Sequence, residues 1–151
     1  TVHASGGRAM IEAATSAASA AAEKFRIARP SVVAVTVLTS IDEATLAEIG
    51  VGRSPADQVA ALAALARDGG CDGVVCSPQE AAAMRALLGA DALVVTPGVR
   101  PAGVDAGDQA RTATPAEAIA SGASHLVIGR PITEAPDPAA AARAIVKELS
   151  A

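Results

Sequence analysis

The chain has 151 residues and a net charge of −4, with 12 Lys plus Arg, and its 51% hydrophobic content is largely alanine. That length suffices for one domain burying roughly 70% of its extended surface. One Phe and no Trp or Tyr leave no stacking platform for single-stranded nucleic acid; no basic run offers a nucleic-acid or acidic-membrane surface, and no stretch of about 18 apolar residues lacks a charge or turn signal, so no transmembrane helix is expected.

Strand and helix alternate along the chain. Thr1 to Ala4 reads as the tail of a strand and Ser5-Gly6-Gly7 as a turn. A chain opening in mid-strand, without Met, points to a processed, truncated or partial protein, and no basic n-region before an apolar run marks a signal peptide. Arg8 to Phe25 is Ala-rich and predicts a helix, broken by Arg29-Pro30. Ser31 to Thr39 is β-branched and predicts a central strand. Ser40 and Asp42 offer caps for a short helix over Glu43 to Ile49.

Ser54-Pro55-Ala56-Asp57 is a helix start with Ser at the N-cap and Pro at N1, and the apolar face runs through Leu62, Leu65 and Ala66 to Gly69-Gly70. Gly73 to Cys76 is a short strand, and Ser77-Pro78-Gln79-Glu80 repeats the start signature for a helix to about Leu88. Ala92 to Thr96 is the next strand. Gly98 to Thr112 is a long loop, and long ordered loops are usually functional. Thr114-Pro115-Ala116-Glu117 caps a helix ending at Ser121-Gly122, and His125 to Ile128 is the last strand. Asp137-Pro138 opens a final helix to about Leu149, with Ile145, Val146 and Leu149 on its apolar face.

Five strands with a crossover helix in each gap predict a parallel α/β sheet, because such crossovers are right-handed. Two architectures fit: an open five-stranded sheet, or the last five units of a (β/α)8 barrel, which typically needs about 250 residues. In both, functional residues belong at the carboxyl ends of strands, here Ser5, Thr39, Ser77, Pro97 with Arg100, and Gly129 with Arg130. From Leu93 to Pro131, two short apolar runs each end in a Gly and an Arg around a Gly-rich loop. Gly lets backbone N–H groups approach an anion and guanidinium binds phosphate bidentately, so this stretch predicts a phosphate grip.

Cys76 sits within the apolar run Gly73-Val74-Val75-Cys76, which favours free thiols over a bridge to Cys71, and no ligand set has zinc spacing. His125 lies at a strand start, on the wrong rim for chemistry. His3 is expected to pack inside. Asp108 reads as a loop cap, Thr36 as a structural position, and no Ser-His-Asp set assembles.

Six motifs in order carry a resemblance. They are Val2-His3-Ala4-Ser5-Gly6-Gly7, Ala34-Val35-Thr36-Val37-Leu38-Thr39-Ser40, Asp72-Gly73-Val74-Val75-Cys76-Ser77, Thr96-Pro97-Gly98-Val99-Arg100-Pro101, Gly107-Asp108-Gln109 and Val127-Ile128-Gly129-Arg130-Pro131-Ile132-Thr133. Together they closely resemble the bacterial orotidine 5'-phosphate decarboxylase family. The resemblance implies a (β/α)8 TIM barrel, usually a homodimer and cytoplasmic. That barrel converts orotidine 5'-monophosphate to UMP in pyrimidine biosynthesis with no cofactor, no metal, and no nucleic-acid or membrane partner. By motif position it implies that Arg100, Gln109 and Arg130 hold the phosphate with the backbone of Gly129. Thr39 then lies near the substrate, with Ser40 and Pro97 close to the pyrimidine.

The family's chemistry rests on a Lys–Asp network with the pattern Asp-x-Lys-x-x-Asp, which does not occur here; the only lysines are Lys24 and Lys147, both on predicted helices. The expectation is therefore a single domain over residues 1–151 that is the C-terminal part of the barrel, from the fourth strand onward. Three β/α units and every catalytic residue would be missing, and the chain alone would be inactive. Two other readings stay open: another phosphate-binding TIM-barrel enzyme (a sugar-phosphate synthase or epimerase), or a non-catalytic barrel fragment.

Overall fold

The computed structural model describes residues 1–101 and 111–150. In chain order the elements are β1 (Val2–His3), a 3-10 turn (Ala4–Gly6), α1 (Arg8–Phe25), β2 (Val33–Val35), α2 (Glu43–Glu48), α3 (Pro55–Asp68) and β3 (Gly73–Val75). A second 3-10 turn (Pro78–Glu80), α4 (Ala81–Leu88), β4 (Leu93–Thr96), α5 (Pro115–Ala120), β5 (His125–Leu126), α6 (Arg130–Thr133) and α7 (Pro138–Leu149) follow.

Helices begin where the sequence supplies caps. Ser54 Oγ accepts the Asp57 N–H at 3.2 Å, and Pro55 at N1 loses no hydrogen bond that the helix would have made. Thr114 Oγ1 accepts the Glu117 N–H at 3.3 Å while Glu117 accepts the Thr114 N–H at 2.8 Å, a reciprocal capping box. Asp42 and Asp137 cap α2 and α7 by accepting the Thr45 and Ala140 N–H at 2.8 and 2.9 Å. The four-residue α6 directly after Gly129 was not legible in the sequence.

All five strands are parallel, in the order β1-β2-β3-β4-β5. A doubly wound sheet reverses its strand order at a switch point, whereas a barrel winds on in sequence. The packing agrees with sequential winding. Ala34, Val74 and Val94 lie in one register row and form a single core with Ile11 of α1, Val59, Ala63 and Ala66 of α3, and Ala81 and Met84 of α4. The helices of these units thus cover one face. Alternation along the strands puts Val35, Val75 and Val95 on the opposite face, where they are only half-buried. A smaller cluster of Val99, Ala118 and Ala123 lies under α5, with Leu126 and Ile128 against it.

Two expectations need correction. The strand over residues 31–39 shortens to Val33–Val35, because its neighbours β1 and β3 are two and three residues long and offer no further ladder. The Thr36 N–H still reaches the Val75 carbonyl at 3.1 Å, and its hydroxyl donates to the same oxygen at 2.8 Å. Beyond that point the chain leaves the sheet. His3, expected inside, is exposed: it shares a register row with Val35, on the face that helices do not cover.

Side chains brace the rims. Arg85 of α4 donates to the carbonyls of Gly89, Ala90 and Ala92 at 2.8 Å and to Gly122 at 3.0 Å, joining the turn before β4 to the turn before β5. Asp72, just before β3, accepts the Val32 N–H at 2.6 Å and a bidentate contact from Arg29 at 2.8 Å. Gly73 follows from close approach rather than from a turn, since a Cβ there would collide with the Leu93 backbone of β4. Among the described residues no helix is long and apolar enough to cross a membrane.

Candidate functional site

Three strand ends build the site. After β2, the Ile41 N–H returns to the Leu38 carbonyl at 2.9 Å and closes a turn just before Asp42 caps α2. This turn carries Thr39, which is buried, and Ser40, which is exposed. After β4 the chain passes Pro97 and then Gly98, whose φ of 77° is the left-handed conformation that Gly adopts without strain. Val99 is fully buried and bridges Ala113, and the Arg100 N–H donates to the Ala113 carbonyl at 2.9 Å. The loop is therefore pinned at its base. After β5 the Val127 N–H donates to the Thr96 carbonyl at 2.9 Å, which brings Gly129 and Arg130 alongside Pro97.

Two cavities meet here. One, of about 190 Å³, is lined by Thr39, Pro97, Gly98, Arg100, Val127, Gly129 and Arg130. The other, of about 240 Å³, is lined by Leu38, Thr39, Ser40 and Pro97 together with Val35, Val37, Val75 and Cys76. Thr39 and Pro97 belong to both, so the two are adjacent. The structure thus brings together Thr39, Ser40, Pro97, Arg100, Gly129 and Arg130; Gln109, with Gly107 and Asp108, lies outside the described residues.

The chemistry of the two halves differs. The first cavity has two guanidinium groups and glycine backbone, which suits an anion. Arg130 is exposed and Arg100 half-buried, so a ligand would meet them from solvent. The second is an apolar slot with hydroxyls at one end, the right character for a planar ring. Among the described residues no lysine or carboxylate lines either cavity. Burial, with the Glu80 carboxylate beside it and only partly offset by Arg111, pushes the Cys76 thiol up to about 12, which removes it as a nucleophile near neutrality. Cys71 and Cys76 are both free thiols. Among the described residues no group of His, Cys, Asp and Glu could hold a metal ion.

Sequence reasoning missed one buried element. Glu80 and Arg111 form an ion pair behind the second cavity, each only 8% exposed. Glu80 also accepts the Ser77 N–H at 3.0 Å and the Ser77 hydroxyl, and Arg111 donates to the Leu38 carbonyl at 3.0 Å. Ser77 and Glu80 were legible as a helix cap, which they are. No local spacing announces an Arg that pairs across 31 positions.

Sequentially wound parallel β/α units, with an anion-suited cavity at the carboxyl ends of the last strands, define the class: a protein of the (β/α)8-barrel type. Comparison with known proteins narrows it. Residues 1–145 match the model of the "Orotidine 5'-phosphate decarboxylase / HUMPS family", and the chain belongs to that family. It is 56% identical over 149 residues to orotidine 5'-phosphate decarboxylase of Moorella thermoacetica, covering 98% of this chain and 59% of that protein. It is 59% identical to the protein of the same name from Paramagnetospirillum magneticum, covering 99% of this chain and 63% of that one. A crystal structure of orotidine 5'-phosphate decarboxylase from Lactobacillus acidophilus superposes with a TM-score of 0.81 at 41% identity, covering 100% of this chain and 64% of that chain. The chain therefore spans about three-fifths of the length of the relatives it matches.

Proposed function

We propose that this chain is the nucleotide-gripping part of an orotidine 5'-phosphate decarboxylase, the carboxy-lyase that forms UMP in pyrimidine biosynthesis. One observation carries the reading. The cavity holding Arg100 and Arg130 adjoins, through Thr39 and Pro97, an apolar slot edged by Ser40. A nucleoside monophosphate needs that pairing of an anion grip with a ring slot. Relatives of that name at 56% and 59% identity support it.

In this reading Arg100, Arg130 and the backbone of Gly129 bind the phosphate, with Gln109 joining them. Thr39 bridges the two halves, and Ser40 and Pro97 border the pyrimidine. Binding energy collected at the phosphate holds the ring in place, and such remote contacts can be used to favour the reacting geometry. Decarboxylation leaves a carbanion that must be protonated, and among the described residues neither cavity is lined by a lysine or carboxylate that could supply that proton. The chain accordingly acts as a C-terminal barrel portion. The Lys–Asp chemistry comes from three β/α units outside these residues, and the 151 residues alone do not turn over substrate. The working protein is a cytoplasmic homodimer without a cofactor.

Titration calorimetry of the chain with UMP and, separately, with ribulose 5-phosphate tests the reading. UMP is expected to bind more tightly, because the sugar phosphate leaves the apolar slot unfilled. Equal or tighter binding of ribulose 5-phosphate would instead support a sugar-phosphate enzyme of the same fold.

A further inference from the structure

We propose that Arg111 is a positioning residue that fixes the spacing between the anion grip and the ring slot, an inference that rests on the nucleotide reading above. Arg111 joins three strand ends, two through its guanidinium and one through the chain beside it. One amino group pairs with Glu80, which follows β3. The other donates at 3.0 Å to the carbonyl of Leu38, which follows β2. Arg111 itself stands two residues before Ala113, whose carbonyl holds the Arg100 N–H at 2.9 Å beyond β4.

Both guanidinium contacts fall on turns that follow strands of the sheet. The Leu38 carbonyl also receives the Ile41 N–H at 2.9 Å, so Arg111 holds the turn that presents Thr39 and Ser40. Glu80 is fixed in turn by the Ser77 N–H at 3.0 Å and the Ser77 hydroxyl. Among the described contacts, those of Arg111 and Glu80 reach neither guanidinium of the grip. The pair sets where the Arg100 end of the site stands relative to the Thr39–Ser40 wall.

Stability alone is a weak reason for this arrangement. A buried ion pair is often no more stabilising than an apolar replacement, and Arg111 Nε is buried without a partner among the described residues. Geometry is a better reason. A planar guanidinium can address Glu80 and Leu38 at once with fixed relative directions, whereas a lysine ammonium is a point donor on a flexible stem.

A ligand that spans both halves must sense this spacing, and one that occupies only the grip must not. Arg111→Lys in the full 151-residue chain tests this, with affinities for UMP and inorganic phosphate measured by NMR titration and folding checked by circular dichroism. The expected result is UMP affinity weakened about tenfold, the scale of one lost charge-assisted hydrogen bond, with phosphate affinity held within about twofold. Arg130→Ala is the control and weakens both ligands. Equal loss of both ligands in Arg111→Lys, or loss of neither, overturns the positioning role. If Arg111→Lys does not fold, Glu80→Gln, which keeps an acceptor for Ser77, is judged by the same ratio. If the unmodified chain binds phosphate but shows no preference for UMP, the nucleotide reading fails and the inference falls with it.

Discussion

Arg130 lies exposed at the end of the last strand, lining the same cavity as Arg100. A charge-assisted hydrogen bond to a phosphate contributes about 1.5–3 kcal/mol, and the solvent exposure of Arg130 keeps the effect toward the lower end. Arg130→Ala should therefore weaken UMP binding by about tenfold or more in a calorimetric titration; unchanged affinity would remove Arg130 from the grip. Cys76 makes the opposite kind of prediction. Its thiol, raised to about 12 by burial and the nearby Glu80, should resist an aromatic disulfide reagent in the folded chain and react only after unfolding in denaturant. Rapid labelling of both cysteines under native conditions would contradict that burial. That Arg100 and Arg130 meet at one strand rim was legible because a Gly and an Arg at a strand mouth are a local pattern. Arg111 was not, because its meaning comes from Glu80 and Leu38, which only the fold brings near it.

Element boundaries followed from caps more faithfully than from strand propensity. Ser54, Thr114, Asp42 and Asp137 each cap the helix that the sequence assigned to them. Capping is decided by a few adjacent residues, so it can be read along the chain. Strand length depends on the neighbouring strand, and β2 ends where β1 and β3 stop pairing with it, although its β-branched run continues. The amino-terminal rim carries a pH signature. At Asp72 burial favours the neutral acid, but the Val32 N–H and Arg29 outweigh it and hold the carboxyl below its ordinary 3.8. A lowered folded-state pKa stabilises the fold above the unfolded value, and that contribution disappears as pH falls through the folded value. Asp72→Asn should thus lower stability by roughly 1–2 kcal/mol near neutrality, a charged-hydrogen-bond value reduced for partial solvent exposure. The difference from the unmodified chain should shrink below pH 3.8 in urea unfolding. A gap that stays constant down to strongly acid pH would show that the carboxylate charge contributes nothing.

At the scale of the molecule, the choice between an open sheet and a barrel portion could not be made from the alternation of strands and helices, which both share. Strand order and the single helix-covered face decide it. Val35, Val75 and Val95 are left half-buried on the other face, which in a closed barrel is the packed interior. The same five units bring Arg100 and Arg130 to one cavity beside an apolar one, and among the described residues no lysine or carboxylate lines either. In the reading proposed above, nucleotide binding and proton transfer fall to different parts of the protein, and an activity measurement on a fused protein separates them. The chain would be joined to the part of the Moorella thermoacetica relative outside the matched 59%, and the loss of orotidine 5'-monophosphate followed beside the 151-residue chain alone. The expected result is decarboxylation by the fusion, sharply reduced by Arg130→Ala, and none by the chain alone. Turnover by the chain alone, or a folded fusion that binds UMP yet leaves the substrate intact, would contradict it.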